Sequence, residues 1–579
     1  MNTVLSVFRE KVASAIRRAF VGEGLSIEVD VAPCMEEGFG HYQCNNALSL
    51  SKILKQNPRA IAQKIIEHFD ASDCEKVEIA GPGFINFTLS AKYLSGRLNL
   101  QLKDRFLGAH PPAVRQKIIV EFSSPNIAKE LHVGHIRSTI IGDCLARLFE
   151  FLDQEVLRLN HLGDWGTQFG MLIAYMKEVC PKVLKGEEPT DLESLMQWYR
   201  SAKSRFDADP PFKLRAQKEV VELQSGQKEA MHAWKIICDA SRKGFQEIYQ
   251  LMGVRITERG ESFYNPFLKE VVEELDQLGL ISISDGAKCV YLEGFQNREG
   301  EPLPIIVQKS DGGYNYDTTD LAAVRHRVFV EKADRVIIVV DQGQSLHLQM
   351  VFALAKKAGW LDPHKVKMEH VGFGLVLGPD GKKFKTRSGE TEKLIDLLTG
   401  AIDKAREILL ERNPNQDRKE IDHLAHVLGI DAVKYADLSS LRTKDYSFSY
   451  DRMLRFEGNT AVFLLYAYVR INGIKRKVGI DMAKVLQNNE IAVEHPSEMA
   501  LGIHLVRFGE VIEVMARDLL PNRLTDYLYE LAEKFNAFFR DCRVEGTPQE
   551  GNRLVLCELT AKVLKQGLGI LGLETVERL

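Results

Sequence analysis

A chain of 579 residues exceeds what one hydrophobic core holds, and at ~100–200 residues per domain three or four units are expected. Hydrophobic residues at 45% and charged residues at 27% are ordinary for a globular enzyme, and no apolar run approaches the ~20 residues that cross a bilayer. A net charge of −4 excludes a uniformly basic nucleic-acid binder, so any RNA contact must come from local basic patches.

The first predicted element is an amphipathic helix through Leu5, Phe8, Val12, Ile16 and Phe20. Arg17 and Arg18 lie on another side, but Glu10 interrupts the basic face and acidic residues follow. A domain helix is therefore expected in preference to a transit peptide. Ser51 to Phe69 is expected to be helical, and Val77 to Leu89 a hairpin around Gly81-Pro82-Gly83. Nine cysteines without a Cys-x-x-Cys pair argue against a structural zinc and a secreted disulfide framework, and fit a reducing cytoplasm.

From Lys117 the pattern changes. Ile118 to Val120 is a short continuous apolar run, as in a strand buried on both faces. A helix with the stripe Ile136, Ile140, Ile141, Cys144, Leu145, Leu148 and Leu152 follows, then a strand at Val156, Leu157 and Leu159. A second such unit is predicted from strand Val336 to Val340, helix Leu346 to Ala358 and strand His370 to Leu377. The expectation is a multidomain α/β protein: a Rossmann-like, doubly wound parallel-sheet domain at 109–422 with a helical insertion near 180–250. It is flanked by an α+β domain at 1–108 and an all-helical domain at 423–579.

Between the first strand and its helix runs Ser123-Ser124-Pro125-Asn126-Ile127-Ala128-Lys129-Glu130-Leu131-His132-Val133-Gly134-His135. Ligands bind at the carboxyl edge of such a sheet, and a helix N-terminus favours phosphate. Gly134 lets a nucleotide lie close to the backbone, and His132 and His135 can donate to phosphate oxygens as charge develops. Taken alone, two histidines three apart are more often surface or core residues; the strand before them and the long helix after them favour function. A second loop, Gly378 to Gly389, carries Lys382, Lys383, Lys385 and Arg387, enough charge to neutralise a triphosphate, although alone it reads as a solvated basic turn.

His132 to His135 resembles the His-Ile-Gly-His signature of class I aminoacyl-tRNA synthetases. Glu121-Phe122-Ser123-Ser124-Pro125-Asn126 and Asn160-His161-Leu162-Gly163-Asp164-Trp165-Gly166-Thr167-Gln168-Phe169-Gly170 are similar to the arginyl-tRNA synthetase family in particular, over essentially the whole chain. The resemblance implies attachment of L-arginine to its tRNA through an arginyl-adenylate, with ATP and Mg2+ and no structural metal. A cytoplasmic monomer is expected.

In the second loop the resemblance is to the family's Lys-Met-Ser-Lys-Ser motif. It implies that Lys383, Lys385 and Arg387, with His132, Gly134 and His135, hold ATP. Aligned from Lys383, the family's second lysine falls on Thr386; Lys129, otherwise readable as a solvated loop lysine, is the expected replacement cation. A guanidinium needs planar acceptors, ideally a carboxylate. The resemblance implies that Asp320 and Tyr316 meet it, while Ser124, Asn126 and Gln344 hold the amino-acid end or pocket wall and Glu121 does either. Asp320 also reads as a helix N-cap.

Towards the C-terminus Arg452, Arg455, Arg470, Lys475, Arg476 and Lys477 are interleaved with Phe456, Phe463, Tyr466 and Tyr468, a composition suited to splayed RNA bases. Most of the stripe Val462, Leu465, Tyr466 and Val469 reads as helix core, and the resemblance points to Tyr466 and Arg470 as tRNA contacts. Gly38 to Tyr42 and Asn45 to Ala47 resemble the family's extra N-terminal domain, which meets the outer corner of tRNA. A small-molecule adenylyltransferase shares the histidine loop but has no evident use for the helical C-terminal region. A non-catalytic tRNA-binding relative would not need both phosphate motifs.

Overall fold

Lys117–Glu121 (β1) buries Ile118, Ile119 and Val120, as its unbroken apolar run requires. It feeds α1 (Val133–Phe151) and then β2 (Glu155–Asn160). In this computed structural model, which describes residues 2–23, 28–34, 36–297, 299–378, 380–382, 392–479 and 481–579, these elements belong to a unit spanning Val114–Leu454. Further along the same unit come β3 (Thr257–Glu258), α2 (Tyr316–Phe329), β4 (Arg335–Ile338), α3 (Ser345–Lys357) and β5 (Lys367–His370). The five strands form one parallel sheet in the order β5–β4–β1–β2–β3. This is the doubly wound arrangement expected, and its strand order reverses between β1 and β4. A crevice opens at the carboxyl ends of the strands on either side of such a reversal. Gly142 sets how closely α1 lies on the sheet: a Cβ there would fall 2.2 Å from the Phe122 side chain.

The strand expected over His370 to Leu377 divides in two. β5 ends at His370, while Val376–Leu377 pairs with Tyr446–Ser447 in a separate parallel ribbon. Gly372 and Gly374 allow the departure. The Gly372 carbonyl accepts from Arg442 Nη1 (2.6 Å), and the Gly374 amide donates to the Arg442 carbonyl (2.9 Å), drawing the chain off the parallel sheet. Strand–helix alternation also did not predict an antiparallel three-stranded sheet, Ser282–Ser284, Ala287–Gln296 and Pro302–Gln308, ahead of α2.

The helices Leu394–Arg412 and Arg418–Leu438 lie in the sheet-containing unit. The second is tied to α1 by a buried pair, Arg137 Nε donating to Asp437 Oδ2 at 3.1 Å. Helical period that continues past His423 therefore does not by itself mark a unit boundary, which falls between Leu454 and Arg455.

The other unit joins Met1–Ala113 to Arg455–Leu579. Its first part is α+β: the helix Val4–Ala19, then an antiparallel sheet ordered Val31–Pro33, Tyr42–Cys44, Phe84–Leu89, Cys74–Ala80. The helix expected over Ser51 to Phe69 is two, Asn46–Leu54 and Pro58–Glu67. Lys55 is left-handed (φ 52°), and Asn57 caps a fresh start in which Pro58 takes a position that needs no N–H. Long helices, among them Ala461–Val478, Asn522–Asp541 and Glu550–Ile570, form the second part. Buried Glu510 accepts from Tyr42 Oη (2.7 Å) and the Leu5 amide (3.0 Å), so the two ends of the chain share one core. Among the described residues no helix is long and apolar enough to cross a membrane.

Candidate functional site

The loop leaving β1 carries three non-glycine residues in left-handed conformation, Ser123 (φ 69°), Ser124 (φ 47°) and Ala128 (φ 59°). Each such residue costs about 1–3 kcal/mol and persists only where its surroundings dictate it. Here hydrogen bonds do so. The Ser123 amide donates to Ser138 Oγ (2.8 Å), the Ser124 amide to Asn160 Oδ1 (2.9 Å) and the Ala128 amide to Ser241 Oγ (3.1 Å). Between them the Gly163 amide donates to the Pro125 carbonyl and the Ile127 amide to the Gly163 carbonyl, both at 3.0 Å, fastening Asn126 to the loop after β2.

The loop delivers two histidines to the first turn of α1. His132 is the N-cap: its Nδ1 accepts from the Gly134 amide at 3.0 Å, while its own amide donates to His135 Nδ1 at 3.2 Å. Each Nδ1 is thus an acceptor, so the ring proton resides on Nε2, and both rings keep that N–H for a ligand. Burial lowers both from the usual histidine range, with Lys129 adding to the effect. His135 falls to about 3, with the neighbouring His132 ring contributing. At neutral pH the pair is two neutral donors, with ring centroids 4.2 Å apart, at a helix N-terminus.

A cavity of about 770 Å³ opens where the sheet order reverses. Of the residues singled out in the sequence, Glu121, Ser124, Asn126, His132, Gly134, His135, Tyr316, Asp320 and Gln344 all line it. Ser124 Oγ is buried without a hydrogen-bond partner and so can accept or donate to a ligand. Lys129 is exposed and does not line the cavity, although its charge reaches the histidines. Lys383, Lys385, Thr386 and Arg387 lie outside the described residues. The segment that follows them returns to the first motif: the Val133 amide donates to the Glu392 carbonyl (3.2 Å), and Lys393 pairs with Glu130 (2.9 Å).

One end of the cavity is acidic. Helix α2 starts at Tyr316 with Asn315 as its N-cap, so Asp320 lies in the second turn and is not a cap. Its Oδ2 meets His347 Nε2 at 2.6 Å, and its Oδ1 lies 3.8 Å from His161 Nε2. Glu261 also lines the cavity; burial, then the fields of Asp320 and Asp164, push its carboxyl up to about 8. Glu121 is committed to Arg327, both side chains being nearly buried.

Cavity residues given no role from sequence include His161, Glu261, Arg327 and His347. His161 stands within the run Asn160 to Gly170 and His347 three residues after Gln344. Nothing local marks Glu261 or Arg327, which the fold alone brings to the site.

In the other unit Val462, Leu465 and Tyr468 are buried, whereas Tyr466 is 44% exposed beside similarly exposed Phe539. The Arg470 guanidinium lies 4.8 Å from the Tyr466 ring centre and 5.6 Å from that of Phe539, and Nη1 donates to Asn536 Oδ1 at 2.8 Å. Lys475, Arg476 and Lys477 are paired with Glu558, Glu577 and Glu545.

Comparison with known proteins agrees with this geometry. The family model described as "tRNA synthetases class I (R), catalytic domain" matches residues 100–450. "Arginyl tRNA synthetase N terminal domain" matches 6–89, and "DALR anticodon binding domain" matches 464–579. The arginine–tRNA ligase of Protochlamydia amoebophila is 60% identical over the full length of both chains, and that of a Nostoc species 52%. The crystal structure of arginyl-tRNA synthetase from Plasmodium falciparum superposes with a TM-score of 0.87, at 33% identity, over the whole of both chains. Its strained histidine loop, its switch-point cavity with an acidic end and these matches along its full length place the chain in the class I arginyl-tRNA synthetase family.

Proposed function

We propose that this chain activates L-arginine with Mg-ATP and transfers it to the tRNA for arginine, acting in the cytoplasm as a monomer. The observation that carries the reading is that one cavity holds both a pair of neutral histidine donors and an acidic recess of the right charge for a guanidinium. The arginine carboxylate attacks the α-phosphorus of ATP and the bond to the β-phosphate oxygen breaks, giving arginyl-adenylate and pyrophosphate. The terminal ribose hydroxyl of tRNA then attacks the adenylate carbonyl, loses its proton, and AMP leaves. Neither step needs a side-chain nucleophile, so positioning and charge stabilisation supply the catalysis.

His132 and His135 donate from Nε2 to phosphate oxygens, and Gly134 keeps the helix N-terminus open to them. Asp320 and Tyr316 receive the guanidinium. Ser124, Asn126 and Gln344 hold the amino-acid end, and the Glu121–Arg327 pair forms the wall behind it. Lys129, with Lys383, Lys385 and Arg387, supplies positive charge to the departing pyrophosphate. Tyr466 and Arg470, with Phe539, offer stacking faces to an unpaired tRNA base.

The test is arginine-dependent exchange of labelled pyrophosphate into ATP, assayed with and without tRNA. Exchange should be nearly silent alone and switched on by tRNA, and Lys129→Ala should lower it even at saturating tRNA. Exchange that ignores arginine would overturn the assignment, and an unimpaired Lys129→Ala enzyme would remove that lysine from the phosphate site.

Glu261 makes arginine binding depend on pH. Its carboxyl is neutral at pH 7, because burial and the neighbouring carboxylates hold it near 8. A guanidinium alongside favours the ionised form, so below that pH arginine binding releases a proton. The KM for arginine should therefore fall as pH rises from about 6.5 to about 8.5, and Glu261→Gln should flatten the slope. An unchanged slope in the variant would place the titrating group elsewhere.

A further inference from the structure

Asp317 and Asp320 stand one helical turn apart on α2, and His347, in the first turn of α3, is inserted between them. Its Nε2 lies 2.6 Å from Asp320 Oδ2 and its Nδ1 3.2 Å from Asp317 Oδ1. A neutral imidazole has one donor and one acceptor nitrogen, and a carboxylate only accepts. A ring with a carboxylate oxygen on each nitrogen therefore carries both protons. The cluster is part-buried: the Tyr316 and His347 rings stand edge to face (5.1 Å between centroids), Asn315 Nδ2 donates to Asp317 Oδ2 (2.9 Å), and His161 lies beyond Asp320 Oδ1. Burial and the N-terminal end of α3 both oppose a positive ring there. Hydrogen bonds to Asp317 and Asp320 outweigh them, and the imidazole is pushed up to about 9.

His347 and Asp320 line the cavity, whereas Asp317 does not. We propose that His347 is a positioning residue whose imidazolium cancels the charge of Asp317 and fixes the Asp320 carboxylate, so that the recess offers one net negative charge to one guanidinium. Two carboxylates against one imidazolium leave a single charge. Without the ring, the two carboxylates would stand unscreened one helical turn apart, and their repulsion would release Asp320 from the position in which it meets the guanidinium. Without Asp317, the imidazolium would neutralise Asp320 itself. The inference rests on the assignment of Asp320 to the guanidinium, and the experiment separates the two.

The KM values for arginine and for ATP would be measured in tRNA-dependent exchange for His347→Gln, Asp317→Asn, the double variant and Asp320→Asn. Each of the first two should raise the arginine KM by about tenfold, the middle of the range for directly coupled residues, with the ATP KM unmoved. The double variant restores a net charge of −1 and should return the arginine KM towards the wild-type value. A merely structural histidine would not be rescued by removing a second residue. Losses that multiply in the double variant, with Asp320→Asn still impaired, would overturn the charge-balance role. An arginine KM unaltered in Asp320→Asn would overturn the guanidinium assignment and this inference with it.

Discussion

His132→Ala and His135→Ala should each lower the rate of arginine activation by ~10²–10³, the scale for removing one preorganised donor from a developing oxyanion. Both rings have Nδ1 engaged with backbone N–H groups, so each substitution removes an N-cap contact as well as a donor. A lost cap costs about 0.5–2 kcal/mol of stability, which shifts the melting temperature but takes nothing from the rate of the molecules that remain folded. His132→Asn separates the effects, because asparagine caps as well as any residue and lacks a donor at the Nε2 position. Its melting temperature should match the parent while its exchange rate stays low. A His132→Asn enzyme with full activity would reduce the histidine to a helix cap.

The parallel-sheet core was legible because short unbroken apolar runs such as Ile118 to Val120 alternate with long helical stripes such as that of α1, and their lengths tell strand from helix. The phosphate-facing end of the site was legible for a related reason: a strand, a loop and a helix N-terminus adjoin in sequence, so His132, Gly134 and His135 advertise the chemistry locally. The acidic end is assembled from α2, α3 and the short helix that begins at Glu261, and there only the family resemblance marked Tyr316, Asp320 and Gln344 while local pattern marked nothing. Glu261 reads as a surface carboxylate, and only burial beside Asp320 and Asp164 raises it. Arg327 reads as an ordinary helix cation, and only the register of α2 against β1 carries it to Glu121. The division of the last expected strand was hidden because the partner that draws it away, Tyr446–Ser447, is a two-residue ribbon with no period of its own. Helical period likewise ran through Leu438 without marking which unit each helix joins.

Asp320→Ala should weaken arginine binding by roughly 2–5 kcal/mol, the cost of truncating one partner of a buried charge pair, while the KM for ATP survives. The side chain is 28% exposed, so water screens part of the lost interaction and the lower half of that range is expected. Glu261 softens the loss further. The field of Asp320 is one of the causes that hold Glu261 protonated, so without it Glu261 ionises at a lower pH and offers the guanidinium a second carboxylate. The defect should therefore be larger near pH 6, where Glu261 is neutral in parent and variant alike, than at about pH 7.5, where it is ionised in the variant and still largely neutral in the parent. Asp320→Ala combined with Glu261→Gln removes both acceptors and should erase that recovery. Titration of arginine into the parent and each variant at the two pH values measures this directly. A defect of equal size at both pH values would show that Glu261 does not face the guanidinium, and matched losses for ATP and arginine would trace the effect to folding.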